Sequence, residues 1–328
     1  MLKKLVMGAA LVGAVGSVAT AGNGTNLTKF VPDNTQMMFV LDASQAHNSK
    51  LLVESFNKLL DSKPDARKKM AEVGIDPMKD IDTVAVAAGG VDELAKMSEG
   101  GNMVVIVEGK MPKDAISKAA AKSTKSSYAG VDYYTSDDSE LAFIDGRMFV
   151  TKMGKMKAEI DLVKGKGKNL DSGAGGKAMR DALKATDTKS HLWLTMLVPD
   201  KDKQKMASSQ IVANSFALTM NFADDVTVGI KLTTTDEKAA GKTVATLNAA
   251  LPQVKGMMGS IGLQAAAGTL ALTQDKASIV GSVKVTAAEI KTLVGLVMQR
   301  AAPPAGAGQP VQQPMVPAKS GLGAPAHK

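Results

Sequence analysis

The sequence has no cysteine, three histidines (His47, His191, His327) and only 11 aromatic residues among 328. Without cysteine there is no disulfide framework, no thiolate metal site and no cysteine nucleophile. Three histidines are too few for a histidine-built metal centre, and no metal or cofactor is expected. Scarce aromatics remove the stacking platforms that single-stranded nucleic acid requires, and no nucleic-acid partner is expected. Beyond the N-terminal segment, no apolar run reaches the roughly 20 residues that span a bilayer.

What is present fits a globular chain. Hydrophobic residues make up 45% and charged residues 22%, enough for one large domain or two ordinary ones. Methionine is abundant, at 20 residues. Lys3 and Lys4 precede an apolar run from Leu5 to Ala19, and Ala19-Thr20-Ala21 is a small-x-small cleavage site. This pattern predicts a signal peptide over 1–21, a mature chain from Gly22, and a periplasmic or secreted bacterial protein with no transmembrane span after cleavage. The run, about 15 residues, is short for a membrane anchor. Removing Lys3 and Lys4 lowers the net charge from +8 to +6, and Lys319 and Lys328 of the tail account for two more, leaving +4 on the body.

At the other end, residues 301–328 hold six of the 12 prolines among Ala, Gly and Gln. The segment has too little bulky apolar surface to offset its ordering entropy and reads as a disordered tail.

Between these ends the body divides into two halves of similar order, 22–163 and 177–300, joined by a Gly/Lys-rich linker over 164–176. In the first half, Gln36–Leu41, Val84–Ala88 and Met103–Val107 read as strands. Leu52, Phe56, Leu59 and Leu60 stripe a helix, and Pro112 opens another running to Ser123. Leu141–Ile144 and Met148–Val150 flank an Asp145-Gly146 hairpin turn, and a helix covers Gly154–Val163. The second half repeats this order. It has a strand at Leu192–Val198, a helix near Lys203–Ala213, and a hairpin whose apolar residues alternate from Phe216 to Phe222 and from Val226 to Leu232. A helix capped by Thr234 and Glu237 follows, then a hairpin over Thr269–Val285 and a last helix boxed by Thr286 and Glu289. Strands with one apolar face need helices packed on that face. The expected fold is therefore α+β, two similar halves, each an antiparallel sheet with helices on one face in a two-layer sandwich.

Two stretches carry a resemblance. Phe30-Val31-Pro32-Asp33-Asn34-Thr35 leads into an apolar strand ending at Asp42, and Gly74-Ile75-Asp76-Pro77-Met78-Lys79-Asp80-Ile81-Asp82 precedes another. Over about residues 30–150 the chain resembles uncharacterised bacterial exported proteins that share a domain of unknown function. The resemblance implies an exported α+β protein and brings no functional residues with it.

Catalytic patterns are incomplete. Gly173-Ala174-Gly175-Gly176-Lys177 ends like a phosphate-binding loop, but Asp171 stands at the first glycine position and Ala178 replaces the magnesium-binding hydroxyl. Gly241-Lys242-Thr243 has Asp236 at its first glycine position. Ser55 and Lys58 have the spacing of penicillin-recognising hydrolases. The matching Lys319-Ser320-Gly321, however, lies in the tail, and the Ser-Asp-Asn triplet is missing. Met258 breaks the nucleophile-elbow pattern around Ser260. A triad base would have to be His47 or His191. Asp76, Asp80 and Asp82, Asp137-Asp138 and Asp224-Asp225 read as turn caps, because none keeps calcium-loop spacing with a pivot glycine. Met153-Gly154-Lys155-Met156 has a copper-like spacing, but Met153, Met156, Ile160 and Val163 step along one helix face, as core residues would.

Lysines remain. Lys113, Lys118, Lys122 and Lys125 recur along one expected helix. Lys152, Lys155, Lys157, Lys164, Lys166 and Lys168 crowd the next region, opposed only by Glu159 and Asp161. These six residues are the best-located contact for an anionic envelope surface, whether lipid headgroups, wall polymer or an envelope protein. The expected function is non-catalytic binding or scaffolding in the envelope. The alternatives are a periplasmic carrier of an apolar ligand such as a lipid, suggested by the methionine-rich core, and a serine-type hydrolase.

Overall fold

Alternating apolar residues build the strands, and twelve of them form one antiparallel sheet. The structure, a computed structural model, describes residues 24–301 apart from 62–63, 78, 91–102, 113, 122 and 137. The expected signal peptide, and all of the tail but Ala301, lie outside them. The strands of the first half are β1 (Met37–Asp42), β2 (Ile81–Ala88), β3 (Met103–Gly109), β4 (Thr124–Tyr128), β5 (Val131–Thr135), β6 (Ser139–Ile144) and β7 (Arg147–Lys152). Those of the second are β8 (Leu192–Leu197), β9 (Ser215–Phe222), β10 (Val226–Thr233), β11 (Ala271–Asp275) and β12 (Ser278–Val285). Their order across the sheet is β11-β12-β10-β9-β8-β1-β2-β3-β7-β6-β5-β4.

The fold is α+β, and the two halves share this sheet. β1 and β8 pair at the seam, with Val40 opposite Trp193 and Phe39 opposite Leu194. Counted outward from the seam, both halves lay their strands down in one order. Three strands come in sequence, then a hairpin enters with its second strand first: β1-β2-β3-β7-β6 and β8-β9-β10-β12-β11. The first half adds the β4–β5 hairpin at its edge.

The helices are α1 (Ala43–Ala46), α2 (Lys50–Asp61), α3 (Pro64–Val73), α4 (Ala115–Ala119), α5 (Met156–Val163), α6 (Lys177–Lys184), α7 (Asp200–Ser208), α8 (Glu237–Ser260), α9 (Gln264–Thr269) and α10 (Ala287–Ala301). They cover both faces of the sheet, which makes the layering richer than helices on one face. On the front, α5, α6 and the 3-10 turn Gly24–Phe30 bury Met38, Val40, Ile106, Phe149 and Trp193 together with Met156, Ile160 and Met179. On the back of the first half, Ala43 and Met111 close over Val84, Val86, Val105 and Val150. On the back of the second half, Leu263, Ala266 and Leu270 pack with Val228, Val283 and Leu293.

Methionine fills volume on both faces. Met37 and Met38 are successive strand residues, so they point to opposite sides, and both are buried. Met156 and Met179 are fully buried as well.

Local signals set most of the boundaries. Asp145 and Gly146 hold φ of 49° and 79°, the left-handed pair that a two-residue hairpin requires. At α10, the Thr286 N–H donates to Glu289 Oε2 at 3.0 Å and the Glu289 N–H to Thr286 Oγ1 at 3.3 Å, the reciprocal capping box expected. At α8 the cap is instead Asp236, which accepts the Ala239 N–H at 2.8 Å. Thr234 turns away and donates to the Ala277 carbonyl.

The Gly/Lys-rich connection 164–176 is fastened to the body. Asp33 N–H donates to the Lys168 carbonyl, Leu170 N–H donates to the Val31 carbonyl, and Leu170 is fully buried. Arg180 Nη1 donates to the Leu170 and Gly173 carbonyls at 2.6 and 2.8 Å. Gly173 is required by close approach: a Cβ there would lie 2.3 Å from Asp33 Cβ. Gly173→Ala is therefore expected to cost about 1–3 kcal/mol through forced displacement of a packed neighbour. A thermal melt checks this, and an unchanged midpoint would mean that the segment is not held against Asp33.

Candidate functional site

The basic residues singled out in the sequence gather around α5. Two devices hold this helix in place. Met156 and Ile160 enter the front core, and Glu140 Oε2 on β6 accepts the Met156 N–H at 2.7 Å, satisfying a free donor of the first turn. Negative charge is favourable at that end, and Lys164 suits the carbonyl end.

All six lysines are exposed. Lys152 ends β7, Lys155 and Lys157 flank the start of α5, Lys164 follows its last turn, and Lys166 and Lys168 lie on the connection that returns to Asp33. Lys157 Nζ stands 5.7 Å from the centre of the Tyr128 ring, and Lys164 Nζ donates to the Ala129 carbonyl, so both reach the β4–β5 turn. None of the six forms an ion pair with a described residue. The two acids expected to oppose them do not. Asp161 Oδ2 accepts the Tyr128 hydroxyl at 2.9 Å, and Glu159 is turned inward and only 4% exposed.

Met153 departs from expectation. It is 52% exposed, in the turn between β7 and α5, while Met156 is buried; the helix begins at Met156, too late to carry Met153 on its stripe. An exposed apolar side chain therefore sits between Lys152 and Lys155.

Glu159 lies outside the set of site residues that the sequence pattern marks. It lines a cleft of about 200 Å³ between α5, the turn Pro32–Thr35 and the ends of β2, β3 and β7. Among the described residues neither of its carboxylate oxygens finds a hydrogen-bond donor, and Oε1 is fully buried. Burial pushes its pKa up to about 8. The signal was legible: an acid three residues after Met156 and next to Ile160 falls on the inward side of an amphipathic helix.

The other lysine group is dispersed. Lys118 lies in α4 and pairs with Asp114, Lys125 lies in β4 and pairs with Asp132, and Lys113 and Lys122 are outside the described residues. Pro112 is followed only by the short α4, not by a helix to Ser123.

The hydrolase candidates do not converge among the described side chains. His191 Nδ1 accepts the Phe222 N–H at 3.0 Å, and burial lowers its pKa. Burial likewise lowers His47 to about 4, partly offset by Asp76 and Asp42, and its Nε2 is buried without a partner. Asp42 instead takes the Ser44 hydroxyl at 2.6 Å. Ser260 donates to the Met257 carbonyl at the end of α8, and the Ser55 side chain is outside the described set. Asp80 Oδ2 accepts the Asp76 N–H at 2.7 Å, closing the turn before β2.

Two apolar surfaces remain open. Leu194, Met196, Phe216, Leu218, Met220 and Ile230 share the back of β8–β10 and are only partly buried. On α8 and just beyond it, Val254, Met257 and Ile261 are 42%, 64% and 48% exposed.

No protein-family model matches the chain, and no curated protein matches it. Among solved structures, three crystal forms of TP0453 are similar. Form III has 10% identity and a TM-score of 0.49 over 83% of this chain and 97% of that chain. Form I has 9% identity and 0.45 over 86% and 98%; form IV has 10% and 0.45 over 83% and 96%. Likeness at this level carries no argument about function.

Proposed function

We propose that the protein is a non-catalytic, exported envelope protein that binds an anionic surface through the lysines around α5. One observation carries this reading: Lys152, Lys155, Lys157, Lys164, Lys166 and Lys168 are all exposed, and none is neutralised by a described acid. Met153 adds an apolar contact in the midst of the charge, which suits a headgroup layer better than a wholly polar wall polymer. No described helix is long and apolar enough to cross a membrane.

Each lysine near such a surface contributes about 1 kcal/mol at low salt. Replacing Lys164, Lys166 and Lys168 with alanine is thus expected to weaken binding to phosphatidylglycerol vesicles roughly a hundredfold. Co-sedimentation at low salt measures it, and 0.5 M salt should release the wild type, because the Debye length then falls to a few ångströms. Binding that ignores both salt and the substitutions would refute the reading.

A second reading, carriage of an apolar ligand, is favoured by the partly buried apolar back of β8–β10. Native mass spectrometry of protein purified from its own cells separates the two: a clean apo mass removes the carrier reading, and extracted lipid supports it.

A further inference from the structure

Among the described residues, the other buried glutamates have structural partners. Glu140 accepts the Met156 N–H, and Glu289 accepts the N–H groups of Ala266 and Thr286 together with the Thr286 hydroxyl. Glu159 accepts nothing, although a polar group left unpaired in the interior costs about 1–3 kcal/mol or more. No structural role offsets that cost. In two further recesses, of about 440 and 430 Å³, several acids and bases are already paired: Asp181 with Lys177 and Lys184, Asp200 with Lys203, Arg67 with Asp61.

The Glu159 cleft also contains a base with no ion pair among the described residues. Lys155 lines it one helical turn earlier, exposed, with its carbonyl accepting the Glu159 N–H at 3.1 Å. Side chains four apart on a helix stand about 5–6 Å from each other at Cβ. The cleft is thus lined by a buried carboxyl and, one helical turn earlier, by an exposed lysine. Asn34 and Thr35 add neutral hydrogen-bonding groups, while Ala87, Val104 and Leu162 limit the space.

We infer that this cleft binds a compact zwitterion, an ammonium beside an anionic group, of the phosphoethanolamine type. The ammonium donates to Glu159, and the anion is taken by Lys155. Of the six rim lysines the inference needs only Lys155, so it stands whether or not the rim binds an anionic surface. The same chemistry occurs free in solution and in a lipid headgroup.

Among the described residues, Lys155 at the start of α5 is the one other ionisable residue lining the cleft; the described parts of the β2, β3, β7 and Pro32–Thr35 walls contribute none. Glu159 is held protonated at neutral pH, because burial raises its pKa to about 8. A bound ammonium favours the ionised form, so binding at pH 7 releases a proton and tightens toward pH 8.

Isothermal titration of the mature full-length protein with O-phosphoethanolamine, in two buffers of different ionisation enthalpy, tests this. Saturable binding with proton release is expected. Phosphocholine, whose quaternary nitrogen cannot donate, should bind at least tenfold more weakly, as should phosphoethanolamine to Glu159→Gln or Lys155→Ala. The Lys164, Lys166 and Lys168 substitutions should leave this affinity unchanged, which separates the cleft from the rim. No heat with free phosphoethanolamine, together with no added binding when phosphatidylethanolamine enters neutral vesicles, overturns the inference. So does equal affinity for phosphocholine, a comparison made on the wild type alone and independent of how the variants fold. A response to vesicles only assigns the site to the lipid headgroup; a response to the free compound assigns it to the soluble one.

Discussion

Trp193→Ala is expected to destabilise the protein by about 3–5 kcal/mol, a large share of the roughly 5–15 kcal/mol that holds an ordinary domain folded. Trp193 is 1% exposed and sits on β8, with Val40 of β1 opposite it on one side and Thr219 of β9 on the other. The indole joins the front core, where residues of both halves meet. The cavity left by its removal would therefore weaken the seam rather than one half. Urea unfolding followed by far-UV circular dichroism measures the loss. The wild type should show one transition, and the same transition by fluorescence of Trp193, the chain's only tryptophan. Two separate transitions, or a loss below about 1 kcal/mol, would show that the halves do not share one cooperative core.

Glu159 gives the second large effect, with a defined sign. Its carboxyl is raised by burial from an ordinary 4.5 to about 8. Below pH 4.5 both folded and unfolded chains hold the proton, and no penalty exists. Between pH 4.5 and 8 the unfolded chain releases it while the folded one keeps it, so stability falls as pH rises. The slope is about 1.4 kcal/mol per pH unit, or about 5 kcal/mol across the window. Above pH 8 both are ionised and the slope ends. His47, lowered toward 4 by burial, acts in the opposite sense, losing its contribution as pH falls below its ordinary 6.5. Comparing wild type with Glu159→Gln at pH 5, 6.5 and 8 cancels that term. The variant should gain on the wild type by several kcal/mol from pH 5 to pH 8. A constant difference would mean that the carboxyl is hydrated and titrates normally.

Much of the fold was readable where side-chain period and turn chemistry agree. The β6–β7 and β9–β10 hairpins, α5 and the Thr286–Glu289 box all follow from alternation, an Asp-Gly turn or a reciprocal cap. The β4–β5 hairpin was not readable. Its strand Thr124–Tyr128 is polar at the sheet edge, and its turn places Ala129, a residue with no turn preference, at φ 48°. Helix α6 was hidden by its glycine-rich lead-in, although Met179, Ala182 and Leu183 stand three and four apart as a buried stripe. That the halves share a sheet depends on the long-range pairing of β1 with β8, which nothing local specifies. At the candidate site, exposure of the six lysines was legible from their density. The isolation of Glu159 required knowing what surrounds it.

Hydrogen exchange of the mature protein, with and without phosphatidylglycerol vesicles, tests the central claim most directly, because it locates the contact as well as detecting it. New protection is expected in peptides covering Lys152 to Lys168 and in the β4–β5 turn that Lys157 and Lys164 reach, and it should disappear in high salt. Protection confined to Val254–Ile261, or none at low salt, would contradict the account.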